Sequence, residues 1–232
     1  MREHFEKEVE ELKSNLIRMA SLVDGQVEHA FTALETGDID ICRGIKAKDS
    51  EIDAYDNLIQ AECENVLALF QPVAIDLRFI ISTLMINNQL ERCGDIAINI
   101  CQRVKKTGEY HQLIVESQIL DMGKQAKEMV KNAIDSFITN SSDLAKSVLV
   151  NDQKVDDYNK QIFKFLVAKM QSDNKLIEPC SHLIVLTRNI ERLADHATNI
   201  AENLVFYVEA NIVAHRKKIK SFEESSEKGK VV

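Results

Sequence analysis

The segment Leu90-Glu91-Arg92-Cys93-Gly94-Asp95-Ile96-Ala97-Ile98-Asn99-Ile100 returns one hundred positions later as Ile190-Glu191-Arg192-Leu193-Ala194-Asp195-His196-Ala197-Thr198-Asn199-Ile200. Each copy sets a Glu and an Asp four residues apart in an otherwise apolar run. Around the first, Thr83, Ile86, Leu90, Cys93, Ala97, Ile100 and Val104 recur at three-four spacing. Around the second, Leu183, Leu186, Ile190, Leu193, Ala197, Ile200 and Leu204 do the same. Such a stripe is how a helix joins a bundle. Its repetition together with the acids implies a duplicated helical unit, with a period too long for a solenoid.

Working outward, six helices are expected. The first runs from about Phe5 to Glu35. The second follows Asp38, a good N-cap, and reaches Phe70, where Gln71-Pro72 breaks it. The third spans about Asp76 to Lys106 and stops at Gly108. The fourth covers Gln112 to Thr139. Ser141 and Ser142 offer an N-cap to the fifth, which ends near Ser172. The sixth starts around Pro179, a residue tolerated in a first turn, and runs to about His215. No stretch alternates with period two over a useful length. The second and fifth helices repeat as well, Asp49-Ser50-Glu51-Ile52-Asp53-Ala54-Tyr55 matching Asp152-Gln153-Lys154-Val155-Asp156-Asp157-Tyr158. The expected fold is therefore all-α, two tandem three-helix bundles over residues 1–108 and 109–216, followed by a disordered tail at 217–232.

The acids are the candidate chemistry. Residues four apart share a helix face. Glu91 pairs with Asp95, Glu191 with Asp195, Asp49 with Asp53, and Asp152 with Asp156. The Glu-Asp pairs fall off the apolar seam, in polar stripes that read as outward faces. Any two helices of a three-helix bundle are neighbours, so each unit can bring two pairs together. Like charges at this spacing cost on the order of 0.2–0.5 kcal/mol per pair, about 1–2 kcal/mol for four, unless something answers them. Local salt bridges from Lys46, Arg92, Arg188 and Arg192 are one answer. A hard or intermediate cation such as Mg, Ca, Mn or Fe, bound through oxygen, is the other.

Composition narrows the rest. Apolar residues make up 45% of the 232, enough for a packed core, and two prolines and seven glycines leave little material for turns. The net charge of −8 argues against nucleic acid as partner and favours cations or a basic protein face. Cys42, Cys63, Cys93, Cys101 and Cys180 form no C-x-x-C pair, and reduced thiols are expected. No run approaches the ~20 apolar residues of a membrane span, and the acidic start Met1-Arg2-Glu3-His4-Phe5-Glu6 has no apolar leader. A soluble, cytoplasmic protein is expected. There is no P-loop, Gly-rich nucleotide turn or G-x-S-x-G elbow. A ferritin-type di-metal oxidase would carry Glu-x-x-His with its acids turned inward, and no Glu here is followed by His three residues on. The chain reads as a non-enzyme.

Glu91-Arg92-x-x-Asp95, Glu191-Arg192-x-x-Asp195-His196, Asp49-x-x-x-Asp53, Asp152-x-x-x-Asp156 and Gln71-Pro72…Asp76-Leu77-Arg78, in this order, resemble the PhoU family of phosphate-uptake regulators. The resemblance covers nearly the whole chain up to the tail. It implies a homodimer or larger oligomer, attached to the membrane only through partners. Those partners would be a phosphate ABC transporter and a sensor histidine kinase, and the activity repression of phosphate-starvation responses. It also implies multinuclear metal clusters, with iron the first choice and Mn, Mg or Ca as alternatives. The ligands would be Asp49, Asp53, Glu91 and Asp95 in one cluster and Asp152, Asp156, Glu191 and Asp195 in the other. The chain departs from exact repetition at His196, which stands opposite Ile96, and at Ser172-Asp173-Asn174, which replaces the Pro72 turn.

Overall fold

A computed structural model describes residues 2–210. Among them there are seven α-helices and no strand: α1 (Arg2–Thr36), α2 (Ile45–Phe70), α3 (Ala74–Thr107), α4 (His111–Glu116), α5 (Ile119–Thr139), α6 (Ser142–Ser172) and α7 (Ile177–Glu209). The tail expected at 217–232 lies outside the described residues. The two stripes from which the bundle was read are buried throughout, none of their fourteen members exceeding 1% exposure.

The helix ends differ from expectation where a local signal has a second use. Asp38 is an N-cap, but of a single 3-10 turn, Ile39–Cys42, its side chain accepting from the Asp40 N–H at 2.9 Å. α2 begins only after Gly44, whose φ of +80° turns the chain. The expected fourth helix is divided into α4 and α5 by Gln118, at φ +65°. That left-handed conformation costs an L-residue about 1–2 kcal/mol, and nothing in the residue type announces it. Elsewhere the signals hold. Ser141 Oγ accepts from the Leu144 N–H at 3.3 Å at the start of α6, and α2 stops at Phe70 before Gln71-Pro72. α7 starts two residues ahead of Pro179, where Asp173 caps a short turn by accepting from the Lys175 N–H.

Helices α1, α2 and α3 pack on one another, as do α5, α6 and α7. The two groups join through α3 against α7 and, less extensively, α1 against α5. The α3–α7 pair is antiparallel. Arg78 donates to the Tyr207 carbonyl at 3.4 Å, Gln89 meets His196 and Asn199, and Arg103 donates to His182 Nδ1 at 3.2 Å. Residue numbers in each contact sum to nearly the same value, so the turn carrying Glu91 and Asp95 stands level with the turn carrying Glu191 and Asp195. At the α1–α5 contact, Gly123 admits the Phe31 ring, since a Cβ there would lie 2.8 Å from Phe31 Cε1. No described helix is long and apolar enough to cross a membrane.

The expectation of reduced thiols fails for two of the five cysteines. The turn after α1 folds against the far part of α3 and pairs Cys42 with Cys101, Cα atoms 5.8 Å apart, closing a loop of 59 positions. Sequence spacing could not show this, because the pairing depends on where that turn lands. Cys63, Cys93 and Cys180 are free and buried, and burial pushes the Cys63 and Cys93 thiols up to about 12. Closing a loop of this size stabilises by about 2–4 kcal/mol. Dithiothreitol should therefore lower the urea midpoint of the protein, and a Cys42→Ser/Cys101→Ser variant should start at the lower midpoint and ignore the reductant. Equal midpoints for the wild type with and without reductant would contradict the constraint.

Candidate metal centre

The bundle seam decides where the acids point. In α3, Leu90, Cys93 and Ala97 enter the core, which leaves Glu91 half-buried at the core edge and Asp95 exposed one turn on. In α2, Ile52 and Ile59 are core residues, so Asp49 lies half-buried beside α3 and Asp53 is exposed. The charges on the two helices influence one another without the side chains closing into one group. Asp49 is raised above the usual carboxylate range by burial, then by the charges of Asp53 and Asp95. Glu91 is raised by burial against the pull of Arg92, with Asp95, Asp56 and Asp53 adding to the rise. The acids of α2 and α3 thus act on one another across the helix pair.

The second unit repeats the arrangement. Asp152, Asp156 and Glu191 are half-buried and Asp195 exposed. Asp195 is pushed up to about 6, first by desolvation and then by Asp152, Glu191 and Asp156, with Arg192 pulling the other way. Its side chain keeps an open flank, so the desolvation is that of a carboxyl ringed by other groups on a helix surface, not of one sealed in the core. Local cations answer only part of this charge: Arg92 lies 3.3 Å from Glu91 and Arg188 3.8 Å from Glu191, both arginines being exposed. Exposed pairs of this kind contribute little, about 0–1 kcal/mol.

The acids of each expected set lie within electrostatic reach of one another across two helices. The side chains nevertheless stand apart: among the described residues, no three His, Cys, Asp or Glu side chains are grouped closely enough to enclose one ion. The donor set is all oxygen and anionic, which suits hard and intermediate cations and not structural zinc. Gln26 lies fully buried beside Asp49; its Nε2 donates to the Ile45 carbonyl at 3.3 Å, and its hydrogen bond to Asp49 pulls that carboxyl down against the effect of burial. The donor types suit such a cation, but the described side chains are not arranged to enclose one.

Two residues beside these acids were not singled out from the sequence. Asp56 completes a stripe with Asp49 and Asp53. Its carboxyl accepts from Asn87 Nδ2 at 2.7 Å and is raised by burial despite that bond. The spacing of three from Asp53 could have found it. Gln26 was visible as the one amide inside the buried stripe Val23, Gln26, Val27, Ala30 of α1. His196, the departure from the repeat, turns away from the acids: its Nδ1–H donates to Gln89 Oε1 at 2.7 Å across the α3–α7 contact. Burial, Arg192 and Arg92 hold the ring below its ordinary value. Asn199, expected on an outward face, joins the same inter-unit contact by donating to Gln89 at 3.1 Å.

Fold and site together define a class, tandem three-helix bundles carrying paired carboxylates on each unit. The PhoU domain profile matches twice, over residues 16–104 and 119–204. The chain belongs to the PhoU family. It is 36% identical over 216 residues to the phosphate-specific transport system accessory protein PhoU homolog of Pseudomonas putida, covering 92% of this chain and 84% of that one. Against the homolog of Caulobacter vibrioides it is 32% identical over 201 residues, 86% and 87% of the two chains. The crystal structure of PhoU from Pseudomonas aeruginosa superposes with a TM-score of 0.83 at 33% identity, covering 89% of this chain and all of that one.

Proposed function

We propose that this protein is a non-enzymatic accessory regulator of phosphate transport. It would work in the cytoplasm as a homodimer or larger oligomer, repressing phosphate uptake and starvation signalling by coupling a phosphate ABC transporter to a sensor histidine kinase. The observation that carries the reading is the double PhoU domain match, supported by relatives named as accessory proteins of phosphate-specific transport over more than four fifths of the chain. The carboxylate faces serve it as cation sites. Asp49, Asp53, Glu91 and Asp95 would hold one group of ions, Asp152, Asp156, Glu191 and Asp195 the other. Iron is the first candidate, and Mn, Mg and Ca suit the same oxygens. Bound cations would offset the burial and the neighbouring charges that raise Asp49, Glu91 and Asp195, and so lock α2 to α3 and α6 to α7. Catalysis of the ferritin type is disfavoured, because Asp53, Asp95 and Asp195 are exposed and the bundle interior is apolar.

Affinity capture from membranes with the tagged chain should recover phosphate-transporter and kinase subunits. A deletion strain should express phosphate-starvation genes in phosphate-rich medium. Normal repression in the deletion strain would refute the reading. A plain helical adaptor with no metal is the remaining alternative, and the metal content of the native protein separates the two.

A further inference from the structure

The two units leave the same cap and then diverge. Matching Asp49 and Tyr55 to Asp152 and Tyr158 sets Asp38 against Ser141, and Ile41, Cys42 and Ile45 against Leu144, Ala145 and Val148. In the second unit the helix runs on from its cap without a break, the Ala145 N–H donating to the Ser141 carbonyl at 3.1 Å. In the first unit the chain makes one 3-10 turn, the Arg43 N–H donating to the Asp40 carbonyl at 2.9 Å, and Gly44 at φ +80° then restarts it as α2. Yet the apolar positions keep the spacing of one helix face in both units, and Cys42 and Ile45 are buried like Ala145 and Val148. What differs is the bond from Cys42 to Cys101, which stands against Ala201 in the repeat.

The bond can be reached. Cys42 and Cys101 are themselves buried, but both line a hollow of about 260 Å³ between the turn and α3, with Arg43 and Lys105 on its wall. Both cations are exposed, and Arg43 lies 2.8 Å from Asp40. Positive charge beside a disulfide favours an anionic thiol and stabilises the thiolate that leaves. Burial raises Cys63, Cys93 and Cys180, so the chain supplies no thiolate of its own and the attacking thiol comes from outside.

We infer that Cys42–Cys101 is a reversible exchange site for a small anionic thiol, and that its reduction lets α2 extend back to the Asp38 cap as α6 extends from Ser141. The inference goes beyond the phosphate-transport reading and takes from it only the cytoplasmic location, where disulfides are rare and those present are mostly catalytic or redox-sensing. One thiolate attacks a sulfur of the pair and forms a mixed disulfide, as the bond between the cysteines breaks and its electron pair leaves on the other sulfur. A second thiolate attacks the mixed disulfide and departs joined to the first as a small disulfide. Two thiols are oxidised, and the cysteine sulfurs gain the two electrons and take up the two protons. Freed from α3, the chain over 39–44 continues the helix. The amides at 45–47, which head α2 without intrahelical partners, then bond the carbonyls of 41–43.

The test is amide hydrogen exchange of the full chain, read by mass spectrometry over residues 42–47, in oxidised and in reduced glutathione, with free thiols counted by alkylation after unfolding. Reduced glutathione should raise the count from the three free cysteines to all five. The amides at 45–47 should then exchange at least about tenfold more slowly, and oxidised glutathione should reverse both changes. Cys42→Ala/Cys101→Ala, which copies Ala145 and Ala201, should show the slow exchange in either form of glutathione. Exchange that is unchanged or faster once five thiols are free would overturn the extension, as the mark of a turn that merely loosens. Three free thiols in reduced glutathione, or five in oxidised glutathione, would overturn the exchange site. None of these results bears on the phosphate-transport reading, which the deletion strain tests separately.

Discussion

At pH 7.5, Mn2+ at about a hundred times its Kd is expected to raise the melting temperature by about 5–10 °C for each site it fills, and at pH 5 by much less. The expectation follows from the direction of the carboxylate shifts. Asp195 titrates at about 6 in the folded chain against 3.8 for an ordinary Asp. Below the lower value both folded and unfolded states are protonated and the group costs nothing. The cost grows between the two values and is present in full above about 6. Asp195 has an open flank, so the cost discounted for solvent screening is about 1 kcal/mol. Asp49 and Glu91 are shifted in the same direction, for the same two reasons of burial and neighbouring acids. These groups make the metal-free protein more stable on the acid side, and a cation removes that cost where the acids are ionised. A melting temperature independent of Mn2+ at pH 7.5 would contradict the cation sites.

The second expectation is that Asp95→Asn/Asp195→Asn stabilises the metal-free protein at pH 7.5 and abolishes its response to Mn2+. Asp95 raises both Asp49 and Glu91, and Asp195 is itself raised by Asp152, Glu191 and Asp156. An amide at each position ends that repulsion with almost no change of volume. The gain should be about 1 kcal/mol, read as 2–4 °C, and should shrink toward acid pH as the raised Asp195 takes up its proton. Most substitutions destabilise, so a rise is a distinctive result. A fall of the same size at pH 7.5 would mean that Asp95 and Asp195 are structural anchors.

What the sequence made legible follows from what is local. The stripes of α3 and α7 place both Glu-Asp pairs at the edge of the core, and duplication pairs them with Asp49/Asp53 and Asp152/Asp156. Ser141 and Gln71-Pro72 mark helix ends by their own chemistry. The features that escaped depend on tertiary contact. Cys42 meets Cys101 because the turn after Asp38 lies on α3, and no spacing records that. Gln118 breaks a continuous apolar pattern in a left-handed conformation that carries no Gly or Pro signal. His196 and Asn199 look like site residues in a single helix and become inter-unit ties only once α7 lies antiparallel on α3. Gln26 is a polar residue on an apolar stripe, and its hydrogen bonds to the Ile45 carbonyl and Asp49 exist only once α1 packs against α2.

The central claim is that the doubled acidic pairs hold cations. It is tested most directly by elemental analysis of the protein after native purification, compared with Asp95→Asn/Asp195→Asn prepared identically. The wild type should retain a divalent or trivalent metal, iron first, that the double variant lacks. Equal metal content in the two proteins, or none in either, would contradict the claim.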